Sequence, residues 1–235
     1  VRSKQGTTNR LRRVLQEIIP CRRKSLLDFG SGTGKVYQDL LSSGIFDLER
    51  IAMVDVSGEM CRLAEEKVSS KTPVIVINGD EFSSRILEFA PYDVITMMQI
   101  LHHLPMPGET LMALRRYASE DAVLVALTPG PLYQSNIFPY EANSPVDLVG
   151  RRTLTDWEEI IESSGWRIET IYDDRFVIDF CARKDYVSFI DSIGITNRVL
   201  GYKVSEVSTK EDPIDSEESQ FFVRGQYLTF FCRLG

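Results

Sequence analysis

The run Ser25-Leu26-Leu27-Asp28-Phe29-Gly30-Ser31-Gly32-Thr33-Gly34-Lys35 constrains this chain more than any other segment. A short stretch suited to a buried strand leads into three glycines at alternate positions, and a helix-compatible stretch follows. Glycines spaced this way let the backbone turn sharply and leave no side chain where a ligand would lie against the turn. Asp28 falls at the strand's end, where open α/β sheets bind their ligands. Spacing excludes two loops of similar appearance. A phosphate-cradling loop needs glycine where this chain has Phe29, and Ser or Thr where it has Val36. The dinucleotide fingerprint needs its third glycine where this chain has Lys35.

Strand and helix signals alternate after this turn. Strands are expected at Leu26–Phe29, Ile51–Val56, Val74–Ile77, Asp93–Met98, Ala122–Leu127, Trp166–Tyr172 and Gln226–Arg233. Helices are expected from Lys35 to Ser42, from a Ser57 cap to Val68, around Ser83–Phe89, over Thr110–Tyr117 and over Thr153–Ser164. In the last of these Thr155 and Glu158 have capping-box spacing, and Gly165 ends the helix. This alternation implies one domain over residues 1–235, an α/β fold with a doubly wound, mostly parallel sheet covered by helices on both faces. Three segments break the rhythm: a lead-in over residues 1–25, and insertions at 131–152 and 174–224 that read as a substrate cap. The second insertion includes a helical piece at Arg183–Ile193.

Composition narrows the function classes. The 235 residues carry 27 basic and 34 acidic side chains, a net charge of -7, which argues against nucleic acid as the main partner. The basic residues cluster locally, since residues 1–25 hold eight of them and the single acid Glu17, in the manner of a solvated helix face. Cys21, Cys61, Cys181 and Cys232 lack any metal-binding spacing and read as reduced thiols of a cytoplasmic protein. His102 and His103 are the only histidines, which leaves little for a histidine-based metal site or a Ser-His-Asp triad. No apolar run approaches the roughly 20 residues of a membrane span, and no signal peptide is visible.

The pattern D-x-G-x-G-x-G resembles the first motif of class I S-adenosylmethionine (SAM) methyltransferases, and three later strand ends are consistent with it. Asp55 ends the second strand, 21 residues after Gly34, where an acid can accept both hydroxyls of a ribose. Asp80 ends the third, placed to accept from an adenine amino group, with Phe82 near enough to lie against the base. Gln99 follows the fourth, at the mouth of the cleft where the strand order reverses. The resemblance implies a seven-stranded sheet whose last strand is antiparallel. It implies SAM as cofactor, held by Asp28, Gly30, Ser31, Gly32, Gly34, Asp55, Val56, Asp80, Glu81, Phe82 and Gln99. The product would be S-adenosylhomocysteine. In the His102-His103 turn the histidine of such enzymes more often braces the loop, so Gln99 and His103 are candidates for catalysis rather than an assigned base.

From the fourth strand onward the order of features is similar to histamine N-methyltransferase and related small-amine enzymes. The matching pieces are DVITMMQIL, TLMALRRY, the Leu154–Gly165 helix, FVIDFCARKDYVSFIDSIGITN and GQYLTFFC. This resemblance implies Gln99 and Gln226 as substrate contacts, with Tyr133 and Phe138 presenting aromatic faces. The acidic substrate contact of that family has no match here. N-methylation of a small amine is therefore the expected activity, with a small molecule as partner. The alternatives are carboxyl O-methylation of an organic acid, with Arg151, Arg152, Arg175 and Arg183 available to clamp the anion, and a protein of this fold without methyl transfer.

Overall fold

The computed structural model describes residues 25–43, 48–68, 72–131, 152–180 and 221–235. Seven strands form one sheet: β1 (Ser25–Phe29), β2 (Arg50–Asp55), β3 (Val74–Asn78), β4 (Tyr92–Met98), β5 (Ala118–Pro129), β6 (Trp166–Phe180) and β7 (Phe221–Leu234). Among the described residues the α-helices are α1 (Lys35–Ser43), α2 (Gly58–Glu65), α3 (Pro107–Leu114) and α4 (Leu154–Ser163). The spatial order is β3-β2-β1-β4-β5-β7-β6. Strands β1 to β5 run parallel, while β7 is antiparallel to both β5 and β6. The seven-stranded, doubly wound sheet and its antiparallel last strand agree with the sequence expectation.

Every residue of β1 is buried, so helices must cover both faces of the sheet. One side packs Leu27, Phe29, Ile95, Leu124 and Phe230 against Ile86, Leu111, Leu114, Trp157 and Ile161. The other packs Leu26, Ile51, Met53, Val94 and Phe231 against Val36, Tyr37, Leu40 and Ala64. Alternate residues of each strand thus feed opposite cores, as the twofold period of a strand requires. Trp166 donates its indole N–H to the Leu111 carbonyl at 2.9 Å, joining β6 to α3.

Several boundaries differ from expectation for identifiable reasons. Helix α3 begins at Pro107, a residue that suits the first helical position because it has no N–H to satisfy. The Ser84–Phe89 segment is a 3-10 helix. Helix α4 is capped by Thr153 and Asp156 rather than Thr155 and Glu158: Thr153 Oγ1 accepts from Asp156 N at 3.2 Å, and Asp156 Oδ2 accepts from Thr153 N at 2.6 Å. Strand β6 does not stop at Tyr172 but pairs with β7 through Phe180↔Phe221. Residues 174–180 and 221–224, expected in the cap, therefore belong to the sheet. The expected helix at Arg183–Ile193, Cys21 and Cys181 lie outside the described residues, while Cys61 and Cys232 are buried free thiols. Among the described residues no helix is long and apolar enough to cross a membrane.

Candidate active site

The order reverses between β1 and β4: from β1 the chain moves outward to β2 and β3, then returns to β4 on β1's other side. Strand tips at such a reversal leave a crevice in which ligands of open sheets bind. The glycine turn lines it. Gly30, Gly32 and Gly34 have φ of 74°, 52° and 73°, a region that side chains disfavour. A Cβ on Gly30 would lie 2.7 Å from Ile100 Cγ1, whereas one on Gly32 would meet nothing within 4 Å. At Gly30, then, the missing side chain lets two elements touch. At Gly32 it keeps space open.

Asp55 ties the turn to the tip of β2. Its Oδ2 accepts from Gly32 N and its Oδ1 from Ser57 N, each at 2.9 Å. A carboxylate has about four acceptor sites, so two remain for a ligand. Asp55 also lines a cleft of about 420 Å³, together with Val56, Glu81, His103, Glu109 and Thr110. Gly30 and the apolar side chains of Ile100, Leu104 and Met106 complete the walls. Val56 is 75% exposed, as an apolar residue awaiting a flat partner would be.

Asp28 lies beneath the turn, fully buried. Its Oδ1 accepts from Thr96 Oγ1 at 2.8 Å, and its Oδ2 has no partner among the described residues. Burial pushes its carboxyl up to about 7, against the smaller lowering effect of the Thr96 hydrogen bond and with a further push from Asp55. Ser31 Oγ and Tyr37 OH are likewise buried with no partner among the described residues. Orphaned polar groups under a side-chain-free turn are what an amino-acid-bearing ligand would satisfy.

The other residues singled out by sequence divide into those at the cleft and those turned from it. Asp80 is exposed, and its Oδ1 accepts from Phe82 N at 3.0 Å in a local turn. Glu81 lines the cleft instead: Oε1 accepts from Thr110 Oγ1 at 2.7 Å, and its carbonyl accepts from Tyr117 OH and Arg116 Nη2, each at 2.8 Å. Phe82 is 64% exposed with the Arg116 guanidinium 5.7 Å from its ring centre. Gln99 is exposed at the tip of β4 with φ of 59°, and its N–H donates to the Leu127 carbonyl at 2.7 Å. A non-glycine residue held in the left-handed region at such a tip is a mark of functional sites.

His102 is packed against His103 with ring centres 3.9 Å apart, and burial lowers its pKa to about 3, helped by the neighbouring ring. It stays neutral, and its Nδ1 is buried with no hydrogen-bond partner among the described residues. Desolvation also lowers His103, which faces the cleft. Gln226 is buried beside the end of β5: its amide donates to Asp173 Oδ1 at 2.8 Å, and a Cβ on Gly130 would sit 2.6 Å from its Oε1. Arg175 Nη2 donates to the other Asp173 oxygen at 3.2 Å. Tyr133, Phe138, Arg151 and Arg183 lie outside the described residues. Glu109, Thr110 and Asp173 escaped the sequence reading. Reading Pro107 as a helix start would have placed the first two at the cleft.

These residues fit SAM. Asp55 offers free acceptor sites for ribose hydroxyls, Asp28 an unpaired oxygen near the turn, and the acids at the cleft suit a cationic ligand.

Comparison with known proteins is consistent with this geometry. The methyltransferase-domain family matches residues 4–171. Malonyl-[acyl-carrier protein] O-methyltransferase of Halalkalibacterium halodurans is 25% identical over 185 residues, 74% of this chain and 66% of that protein, so the chain spans slightly under two thirds of that relative. A Bacillus halodurans C-125 structure assigned to the methyltransferases superposes with a TM-score of 0.67 at 16% identity, covering 95% of this chain and 97% of that one. A SAM-dependent methyltransferase from Aquifex aeolicus gives 0.52 at 24% identity, covering 68% and 81%. At such identities the structures speak for the fold, and the family match speaks for kinship: this chain belongs to the methyltransferase-domain family.

Proposed function

We propose that this protein transfers the methyl group of SAM to a carboxyl oxygen of a small organic acid, releasing S-adenosylhomocysteine. The observation that carries the cofactor half is Asp55, whose carboxylate fixes the glycine turn and still faces the cleft. When bound, SAM supplies an activated methyl on a sulfonium with a good leaving group. The protein's task is then placement, because in-line attack needs the nucleophile held near 3–3.5 Å from that methyl. Asp55 would accept from the ribose hydroxyls, Val56 and Leu104 would supply apolar walls for the base, and Glu81 lines the cleft where Asp80 does not. Gln99, fixed at the tip of β4 by its bond to Leu127, is placed to orient the acceptor.

The acceptor half draws on the O-methyltransferase relative and on charge. Asp55, Glu81 and Glu109 line the cofactor cleft and repel an anion from it. Arg152 lies 4.9 Å from the Trp157 ring centre just before α4, and Arg175 lies on β6, paired with Asp173. A carboxylate attacks without first losing a proton, so it asks nothing of His103, the histidine at the cleft, which desolvation makes a weaker base. The amine acceptor implied by the second-half resemblance has to shed a proton, and the relative found offers it no support.

The deciding experiment offers methyl-labelled SAM with matched panels of organic acids, their thioesters bearing a free carboxyl, and small amines. Base-labile label in the acids is expected. Label confined to amines would overturn the acceptor half. Failure to bind S-adenosylhomocysteine by calorimetry would overturn both halves.

A further inference from the structure

Helix α2 grips the glycine turn at both ends. Before its first turn, Asp55 holds Gly32 N and Ser57 N on its two oxygens. Two residues past its last turn, Lys67 reaches back 34 positions and donates from Nζ to the Thr33 carbonyl at 2.6 Å. Between these ends Gly34 lies flat on the helix, since a Cβ there would sit 3.4 Å from Ala64 Cβ and 3.3 Å from Met53 Sδ. A lysine just beyond a helix C-terminus is well placed for the helix dipole and could remain in solvent. This one folds onto the turn.

We propose that Lys67 is a positioning residue for cofactor binding, acting through the Thr33 carbonyl. Glycine loses more conformational freedom on ordering than any other residue, and three of them stand within five positions here. A turn that is loose in the free protein must be ordered by its ligand, at the expense of affinity. The Asp55 bond fixes only the Gly32 peptide, and the Gly34 N–H is taken within the turn by Ser31 O at 2.9 Å. That N–H and the Thr33 carbonyl belong to one peptide group, so the Lys67 ammonium holds the second end of a peptide whose first end Ser31 holds. The bond is charge-assisted and partly buried, so it is stronger than a neutral one. This inference rests on the proposed cofactor class for its binding effect, though not for its effect on the turn.

The test uses the full chain with Lys67→Met and Lys67→Arg. For Lys67→Met the expected result is a rise of about tenfold in Kd for S-adenosylhomocysteine and in KM for SAM. kcat at saturation should stay within about twofold, and amide exchange at residues 32–34 of the free protein should be faster. Lys67→Arg, which keeps the charge and the donor, should recover most of each change. Unchanged Kd and exchange in Lys67→Met would overturn the proposal. So would a parallel fall in kcat and melting temperature that Arg does not rescue, since that is the mark of a purely structural lysine. If wild type fails to bind S-adenosylhomocysteine while Lys67→Met still speeds exchange, the clasp stands and the cofactor reading falls.

Discussion

Changing Asp55 to Asn should weaken binding of S-adenosylhomocysteine far more than the same change at Asp80, although the sequence pattern puts both acids at strand ends. The Asp55 carboxylate accepts from Gly32 N and Ser57 N at 2.9 Å each and faces the cleft. An asparagine keeps one oxygen. Its amide nitrogen cannot accept, so one backbone N–H loses its partner and the ribose loses an ionised acceptor. A hydrogen bond to a charged group contributes roughly 1.5–3 kcal/mol, and each 1.4 kcal/mol is tenfold in affinity, so Kd should rise roughly 10- to 150-fold. Asp80 is exposed and uses its Oδ1 on Phe82 N, a local turn that asparagine reproduces. Its Kd should change by less than about threefold. Calorimetric titration at pH 7.5, with melting curves to confirm that both variants fold, reads the difference. A D55N protein within twofold of wild type, or a D80N protein weaker than D55N, would refute the assignment of the ribose acceptor.

Three further outcomes are expected. Thr153→Ala should cost about 1 kcal/mol of stability by removing a cap, and Thr155→Ala, on an exposed residue, should cost little, as paired denaturant titrations would show. Asp28 has a folded pKa raised to about 7, so between the unfolded pKa near 3.8 and about 7 the folded chain holds a proton that the unfolded chain has lost. Its contribution to stability therefore falls as pH rises through that window, and Asp28→Asn should gain on wild type between pH 4.5 and 7 in urea melts. A constant gap would show that Asp28 is not a buried ionisable acid. His103→Ala should keep kcat within about tenfold on a carboxylate acceptor, because that nucleophile needs no base. A loss of several thousandfold in initial rates would restore His103 as a catalytic residue.

The parts of the fold that depend on local chemistry were legible in the sequence. Alternating apolar runs marked every strand, and Gly30, Gly32 and Gly34 marked the turn because only glycine takes those angles without strain. Features set by distant partners were not. The polar Asp173-Asp174-Arg175 run follows the expected end of the sixth strand at Tyr172, yet it is carried through as strand because β7 supplies a partner at every position. Likewise the polar start of β5 at Ala118 pairs with Tyr92 across a bulge. Two overlapping capping patterns, Thr153 with Asp156 and Thr155 with Glu158, are equivalent as text, and the longer helix makes the additional Trp157 N to Thr153 carbonyl bond at 3.2 Å. At the site, Asp55 and Glu81 could be found from strand ends. That the Asp80 carboxylate closes its own turn, and that Gln226 is tied to Asp173, depends on geometry no spacing rule encodes.

The placement of β7 between β5 and β6 sets an order of assembly. Among the described residues strand β6 has no other neighbour in the sheet, so it stays homeless until residues 221–234 have been made. A ribosome adding 5–20 residues per second needs roughly 3–11 s to pass from Phe180 to Leu234. During that interval the newly folded half presents the bare side of β5, a row of apolar positions from Ala122 to Leu127 with no hydrogen-bonding partner, to anything nearby. Nascent chains halted before residue 221 should therefore engage chaperones or self-associate, and those released after 234 should not.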